Sequence, residues 1–330
     1  MRRREFLALP LLSVMPAVWV GSAHSQEGTK KVAILMGIAN DAEGQLRFNA
    51  LKDGLNSFGW QVDRNVHLDI RWAAGDDQLT RTYAAELIGY SPTVIVANSA
   101  PATISLLELT RTIPIVFVQV NDPVGLGIVK NLSHPDSNVT GFLNFEPAIA
   151  GKWLELLKEV QPIMSNVGVL FGRATTARGS GASIHLPSLQ AIAPSLGITL
   201  HPMPCGNSEE IKRSVDEFAR AGGQGAIIVP DVFNTVNRDV IIASLQSIPA
   251  IYPYRYFTTS GGLISYGVEV SSLYKNAANY VDRILKGAKP IDLPVQAPTK
   301  YELTINITTA KALGLTISPT LLARADEVIE

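Results

Sequence analysis

The strongest constraint on the fold is a regular alternation between short apolar segments and amphipathic segments that runs through most of the chain. Residues 32–36, 93–97 and 113–118 are compact apolar runs, which are typical of buried strands. Residues 45–58 and 101–110 lie between them and carry apolar side chains at helical spacing. Strand, helix and strand in this order predict parallel strands joined by helical crossovers. The predicted fold class is therefore α/β.

The alternation occurs twice, and the two copies can be compared directly. Residues 94–97 lead through a polar loop and a helix to Ile113-Pro114, and residues 226–229 lead in the same way to Ile248-Pro249. The spacings differ by only a few residues, which a loop can absorb. We therefore predict two similar Rossmann-like lobes. Because later strands and helices must return to complete both lobes, we expect several hinge crossings, with residues 30–145 and 265–297 in lobe 1 and residues 146–264 and 298–330 in lobe 2.

The N-terminal segment has the pattern of an export signal. Arg2-Arg3-Arg4 precede an apolar run over residues 6–20, and the small residues Gly21-Ser22-Ala23 follow it. The run is short for a membrane span and contains two prolines, so residues 1–25 are predicted to be a cleaved signal peptide. The arginine pair resembles a twin-arginine signal, and ordinary Sec export is the alternative. The expected location is periplasmic, without stable membrane insertion after cleavage.

Several function classes lack support in the sequence. The formal net charge of −1 gives no field that would attract nucleic acid. The chain has one cysteine, Cys205, and its five histidines are scattered, so we expect no metal site. Glycine-rich cofactor loops and zinc-hydrolase motifs are missing from the sequence. We therefore predict a protein that is not an enzyme and uses no cofactor.

Candidate ligand-binding residues lie in the loops that follow the predicted strands, because open parallel sheets bind ligands at the carboxyl ends of their strands. Ser99 and Ala100 stand at the start of a helix, where free backbone N–H groups suit a carboxylate, although an ordinary N-cap serine would look the same. Arg173 could clamp a carboxylate, and the acidic candidates could pair with a ligand ammonium group or simply form caps and turns. The predicted ligand-binding residues are Asn40, Asp41, Ser99, Ala100, Gln119, Asp122, Arg173, Asp231, Tyr254, Tyr266 and Glu269.

Several longer segments together resemble ABC transporter substrate-binding proteins of the tryptophan/tyrosine-binding type. The most specific are the N-terminal Arg-Arg-Arg-Glu-Phe and residues 113–117, 121–124, 138–141, 265–267, 278–290, 313–315 and 321–327. The resemblance covers nearly the whole chain. It implies a type I periplasmic binding protein fold, with a small molecule closed between the lobes.

The resemblance also implies a role and bears on the ligand. Asn40-Asp41, Ser99-Ala100 and Asp122 match the family's binding loops, whereas Gly172-Arg173 and residues 231–234 differ from members that bind aromatic amino acids. We therefore expect a small carboxylate-bearing ligand, including aromatic or amino-acid-like compounds, delivered by a monomer to the membrane permease of an ABC importer. The alternative is a ligand-sensing receptor that acts through a membrane signalling protein.

Overall fold

The computed structural model describes residues 29–173 and 181–330, so the predicted signal peptide, residues 1–25, lies outside the described residues. The first sheet has five parallel strands in the order β2-β1-β3-β4-β5. They are β1 (Lys30–Met36), β2 (Val66–Trp72), β3 (Val94–Asn98), β4 (Ile115–Val120) and β5 (Val139–Leu143), and the helices between them are α1 (Ala42–Ser57), α2 (Asp77–Gly89) and α3 (Ala100–Leu109).

The second sheet has seven strands in the order β12-β11-β10-β9-β8-β6-β7, of which only the β10–β11 pair is antiparallel. Its strands are β6 (Asn166–Gly172), β7 (Thr199–Cys205), β8 (Gly225–Ile228), β9 (Ala250–Tyr252), β10 (Ile264–Val268), β11 (Tyr301–Asn306) and β12 (Glu327–Ile329). The remaining helices are α4 (Ile149–Val160), α5 (Gly181–Ile192), α6 (Ser208–Arg220), α7 (Val232–Val236), α8 (Arg238–Ser244), α9 (Arg255–Thr259), α10 (Val270–Leu285), α11 (Ile307–Ala312) and α12 (Pro319–Ala323). The predicted α/β class with two sheet-centred lobes is confirmed, although the helix predicted after β8 is two short helices, α7 and α8.

Strand β1 shows why the apolar runs in the sequence are continuous. Val32, Ile34 and Met36 belong to the core on the side of α1 and α10, whereas Ala33 and Leu35 belong to the core on the side of α2 and α3. Side chains alternate between the two faces of a strand, and here both faces are covered by helices. A strand in this position must be apolar at every residue.

The chain passes between the two sheets three times. It crosses after β5, again between β10 and α10, and a third time after Gln296, which forms a bridge with Phe142 of β5. The predicted lobe 1 resumed at residue 265, but β10 hydrogen-bonds with β9 and β11 of the second sheet. Residues 265–268 therefore lie in the second sheet, and we place the crossing at Glu269, directly before α10. Over the described ranges, no helix is long and apolar enough to cross a membrane.

Candidate functional site

A cavity of about 510 Å³ lies between the two lobes, at the carboxyl ends of the parallel strands. Gly37 reaches it from the loop after β1, Asn98 from the last position of β3, and Ser99 from the residue directly after β3. Pro230 and Asp231 follow β8 and line the opposite side. Its volume is within the usual range for small-molecule sites.

Ser99 occupies a strained position at the start of α3. Its φ of +84° lies in the left-handed region, which costs a residue with a side chain roughly 1–3 kcal/mol. Its hydroxyl does not cap the helix and, although buried, has no hydrogen-bond partner among the residues that the structure describes. The first turn of α3, with Ala100 and Pro101, lines the cavity beside it. An unused hydroxyl next to the positive end of a helix is suited to binding an anion.

Gly37 makes room for Ser99. A Cβ atom at Gly37 would lie 2.5 Å from the Ser99 hydroxyl oxygen and 3.1 Å from the Asn98 carbonyl oxygen. The Gly37 N–H also donates to Asn98 Oδ1 at 3.2 Å. The ends of β1 and β3 are thus held together so closely that any side chain at Gly37 would displace Ser99.

Gln119 connects the polar side chains at the floor of the cavity. Its Oε1 accepts hydrogen bonds from Arg47 Nε at 3.2 Å, Asn98 Nδ2 at 3.1 Å and the Tyr274 hydroxyl at 3.2 Å. Its φ of +64° is again left-handed. Strain of this kind persists only where surrounding contacts impose it, and it is common at binding sites.

Tyr254 joins the second lobe to this network. Gln119 Nε2 donates to its hydroxyl at 3.4 Å, and Asn144 Nδ2 donates to the same oxygen at 2.8 Å. The ring stacks on Tyr256 with a centroid separation of 5.2 Å. Burial raises the pKa of the Tyr254 phenol, so it acts as a neutral hydrogen-bonding group.

The second-lobe wall is formed largely by α7. Asp231 caps this helix, accepting from Asn234 N at 2.6 Å, and also accepts from Gly172 N at 2.9 Å. Val232, Phe233 and Val236 of α7 complete an apolar surface that faces the cavity. This wall combines one carboxylate with side chains suited to a flat or aliphatic ligand body.

The two lobes touch at the rim of the cavity. Arg238 of α8 donates to Asp41 Oδ2 at 2.8 Å, and Asn121 Nδ2 donates to the Pro230 carbonyl at 3.3 Å. Asp41 also caps α1 through Gly44 N at 2.9 Å. Burial by itself would raise the pKa of Asp41, but the Gly44 hydrogen bond and Arg238 hold it below the usual value. Asp41 is therefore an anion that connects the lobes.

The structure brings together five of the predicted ligand-binding residues in the cavity wall: Ser99, Ala100, Gln119, Asp231 and Tyr254. The other six lie outside the wall that the described residues form, and their role in ligand binding stays a prediction. Asn40 accepts from Gln45 on the surface, and Asp41 lies at the rim. Asp122 accepts from Gly125 N at 2.7 Å in a turn.

Arg173, Tyr266 and Glu269 have partners elsewhere. Arg173 Nη2 lies 2.6 Å from Glu210 Oε2. The Tyr266 ring stacks on Tyr301. Glu269 Oε2 lies 3.7 Å from Lys300 Nζ, where the chain crosses into α10. Over residues 29–173 and 181–330, no group of histidine, cysteine, aspartate and glutamate side chains could hold a metal ion.

The predicted ligand-binding set lacks several polar residues of the cavity wall, among them Arg47, Arg81, Glu108 and Asn144. Asn144 directly follows β5, a strand that the alternation did not reveal. Arg47 lies within α1, on the same helical face as the buried residues Gly44, Leu51 and Gly54. A charged side chain in the middle of an apolar face was the available signal.

Comparison with known proteins identifies the family. The family model described as ABC transporter substrate binding protein matches residues 31–329. The chain belongs to this family. The family is one of solute-binding proteins rather than enzymes, and the resemblance seen in the sequence is confirmed.

Individual relatives agree with this assignment. A tyrosine-binding protein of Clostridioides difficile (strain R20291) is 26% identical over 264 residues, which span 79% of this chain and 74% of the relative. The crystal structure of a conserved domain protein from Vibrio cholerae matches with a TM-score of 0.85 and 28% identity, covering 91% of this chain and all of that one. The structure of an ABC domain in complex with L-Trp from Streptococcus pneumonia gives a TM-score of 0.84 and 25% identity, covering 92% and 100% of the two chains. The predicted type I periplasmic binding protein fold of this substrate-binding protein is confirmed.

Proposed function

We propose that this substrate-binding protein captures a small carboxylate-bearing molecule between its lobes and delivers it to the permease of an ABC importer. The observation that carries the proposal is the buried hydroxyl of Ser99 at the start of α3, which has no hydrogen-bond partner among the described residues and lies at a cavity between two touching lobes. A carboxylate there would accept from the hydroxyl and from first-turn N–H groups, and would lie at the positive end of the helix dipole.

The remainder of the cavity supports a ligand with an apolar body. Ile104 and Pro101 line it on the first-lobe side, and Phe233 and Val236 line it on the second. Aromatic carboxylates and aromatic amino acids fit this combination of an anion site and apolar patches, in a wall that also carries the charged side chains of Asp77, Arg81 and Glu108. Asp231 offers a carboxylate for an ammonium group on the opposite wall, so an amino acid would place its two charges toward different lobes.

The proposed location and partners follow from the sequence and the family. Residues 1–25 would direct export to the periplasm and be removed, leaving a monomer that presents both lobes to the permease. Closure around the ligand would create the surface that the permease recognises. Subcellular fractionation, with mass spectrometry of the mature N-terminus, tests this part: an unprocessed cytoplasmic chain would contradict it.

Ligand binding can be tested by thermal shift and calorimetry on protein refolded to remove carried-over ligand. The probes are L-tyrosine, L-tryptophan, 3-phenylpropanoate and indole-3-acetate, each compared with its primary amide. A true ligand raises the melting temperature by mass action, and the acid should bind more tightly than the amide. Ser99→Ala should weaken carboxylate binding roughly tenfold, because it removes a hydrogen bond to a charged group. Ser57→Ala is the matched control, since the Ser57 hydroxyl donates within its own helix to the Gly54 carbonyl and lies outside the cavity wall that the described residues form. Equal affinity of Ser99→Ala and wild type would contradict the proposed anion site.

A further inference from the structure

Arg47 is a buried cation at the wall of the cavity that the sequence analysis did not identify. Its side chain is only 1% exposed, although it belongs to α1, a helix with one face toward solvent. Its guanidinium carbon lies 5.4 Å from the centroid of the Tyr256 ring, a contact that fixes the group in place. Burial opposes the charge, yet Tyr256, Tyr274 and Glu43 keep the pKa of Arg47 above its usual value. The cavity therefore contains a permanent positive charge.

The guanidinium group uses only part of its hydrogen-bonding capacity. Nε donates to Gln119 Oε1 at 3.2 Å, and Nη1 donates to the Glu43 carbonyl at 2.7 Å and to Glu43 Oε2 at 3.1 Å. Nη2 donates to no residue in the part of the chain that the structure describes. An arginine has five N–H donors in a planar fork, and a buried donor left without an acceptor is costly. The side of the guanidinium that carries Nη2 is thus available to a ligand.

The neighbouring polar groups are already paired with each other. Asn98 Nδ2 donates to Gln119 Oε1 at 3.1 Å and to the Tyr274 hydroxyl at 2.8 Å. Asn144 and Tyr254 exchange hydrogen bonds at 2.8 and 3.1 Å. Arg47 joins this paired network only through Nε, so among the described residues Arg47 Nη2 and the Ser99 hydroxyl are groups beside the network with hydrogen-bonding capacity to spare.

These two groups lie at the same end of the cavity. Gln119 Oε1 accepts from both Arg47 Nε and Asn98 Nδ2, and Asn98 is the residue directly before Ser99. A planar cation and a helix N-terminus beside each other form an oxyanion site of a familiar chemical kind. Arg173, in contrast, is more than half exposed and forms an ion pair with Glu210.

We propose that Arg47, rather than Arg173, is the specificity-determining cation that donates through Nη2 to the ligand's carboxylate. This inference rests on the proposed function, because it names the group that recognises the acidic end of the proposed ligand. Glu43 accepts hydrogen bonds from Arg47 Nη1 and so holds the guanidinium in position. Its carboxylate also partly neutralises the positive charge of Arg47 and should thereby weaken the attraction for the ligand's carboxylate.

The test uses the mature full chain, refolded without ligand, and calorimetry with L-tyrosine, L-tryptophan, 3-phenylpropanoate and their amides. Arg47→Gln should weaken binding of the acids by about 30-fold, because a charge-assisted hydrogen bond is lost. It should weaken binding of the amides by less than about threefold, so the preference of acid over amide disappears. Arg47→Lys should be intermediate, because an ammonium keeps the charge without the planar fork. Arg173→Gln is the matched control and should remain within about twofold of wild type.

Glu43→Gln provides an independent measurement, because it leaves Arg47 in place. Removing the opposing charge should tighten binding of the acids by about threefold and leave the amides unchanged. This variant decides the question if Arg47→Gln does not fold, as judged by circular dichroism. Acid binding within twofold of wild type in both Arg47→Lys and Glu43→Gln would overturn the inference and leave the proposed function standing. If the wild-type protein binds none of the acids, the proposed carboxylate ligand and the role of Arg47 are both wrong.

Discussion

The two lobes build their sides of the cavity in different ways. The first lobe contributes strained backbone at Ser99 and Gln119 and a hydrogen-bonded network anchored on Arg47. The second lobe contributes a five-residue helix, α7, with apolar side chains and one capping aspartate. Strained backbone and incompletely paired polar groups persist only where surrounding contacts hold them rigidly, whereas an apolar surface needs only to come into contact with the ligand. Under the proposed function, the first lobe would recognise the ligand's carboxylate and the second lobe would mainly enclose the ligand.

The largest expected effect comes from filling the space at Gly37. Gly37→Val would place side-chain atoms against Ser99 and the Asn98 carbonyl, where a Cβ alone already meets the Ser99 hydroxyl oxygen at 2.5 Å. The displaced Ser99 should lose the anion site, weakening ligand binding by about 100-fold, or ~2.7 kcal/mol. Calorimetry with the best acid from the probe set measures this loss.

Gly89→Val is the matched control for that substitution, because it makes the same chemical change in the same lobe. A Cβ at Gly89 would have no atom within 4 Å, and Gly89 is the last residue of α2. Gly89→Val should bind like wild type. If Gly37→Val bound equally well, the first lobe would not be the recognising lobe.

The sequence predicted the loops that line the cavity better than the side-chain partners within them. Ser99, Gln119 and Asp231 follow predicted strands, and because strand ends converge at one edge of a parallel sheet, their positions near the cleft could be predicted. Arg47 could not be found by that rule, since it lies in the interior of a helix. Its neighbours Gln119 and Tyr256 come from distant parts of the chain and become visible only in three dimensions.

Asp41 and Asp122 are the opposite case, because the strand-end rule selected them although they lie outside the cavity wall that the described residues form. The sequence placed both in strand-end loops and left open whether they bind ligand or cap local backbone. Asp41 caps α1 and pairs with Arg238, which is 197 residues away in sequence, and Asp122 accepts from Gly125 N. A short polar side chain satisfies the nearest donor first, so its sequence position alone does not show whether it is available to a ligand.

The lobes also differ in how they bury an ionisable side chain, and this difference predicts a dependence on pH. Both Arg47 of the first lobe and His185 of α5 in the second lobe are buried, and His185 lies beside Trp153 and Phe145. Arg47 remains charged, whereas His185 is neutral. Burial lowers the pKa of His185 to about 3, from an ordinary value of 6.5. The stability that depends on a neutral His185 is complete above pH 6.5 and is lost as the pH falls, because the unfolded chain takes up a proton that the folded chain refuses.

At pH 5 this loss should reach about 2 kcal/mol in the free energy of unfolding, at 1.36 kcal/mol per pH unit. Urea unfolding at pH 7.5 and pH 5 measures it. His185→Phe should reduce the acid-dependent loss by that amount, and His201→Phe makes the same change at an exposed position of the edge strand β7 for comparison. An unchanged acid dependence in His185→Phe would show that the second lobe does not bury a neutral histidine.

The ion pair between Asp41 and Arg238 tests the claim that the second lobe encloses rather than recognises. Arg238→Gln removes the pair across the rim but leaves Asp41 as the cap of α1. We expect ligand dissociation to become about fivefold faster with little change in the association rate, because a partly exposed pair contributes ~1 kcal/mol. Stopped-flow measurements separate the two rates, and the effect should shrink in high salt.

Arg324→Gln is the control for the rim pair, since Arg324 pairs with Glu159 of α4 at 3.0 Å, outside the cavity wall. That variant should leave both ligand rates unchanged. A slower association rate in Arg238→Gln, with unchanged dissociation, would instead mean that Arg238 attracts the ligand before closure.

The smallest expected effect is at the apolar contact where α7 meets the turn before α2. Gly75 has a φ of +80°, and a Cβ built there would lie 3.4 Å from Val236 Cγ2. Val236→Ala shortens a side chain that is already 39% exposed, so the closed form should lose ~0.5 kcal/mol and the affinity about twofold. Val124→Ala, at an exposed first-lobe position outside the cavity wall, should show no loss. A tenfold loss of ligand affinity in Val236→Ala would indicate that α7 helps to recognise the ligand, which would contradict the claim that the second lobe mainly encloses it.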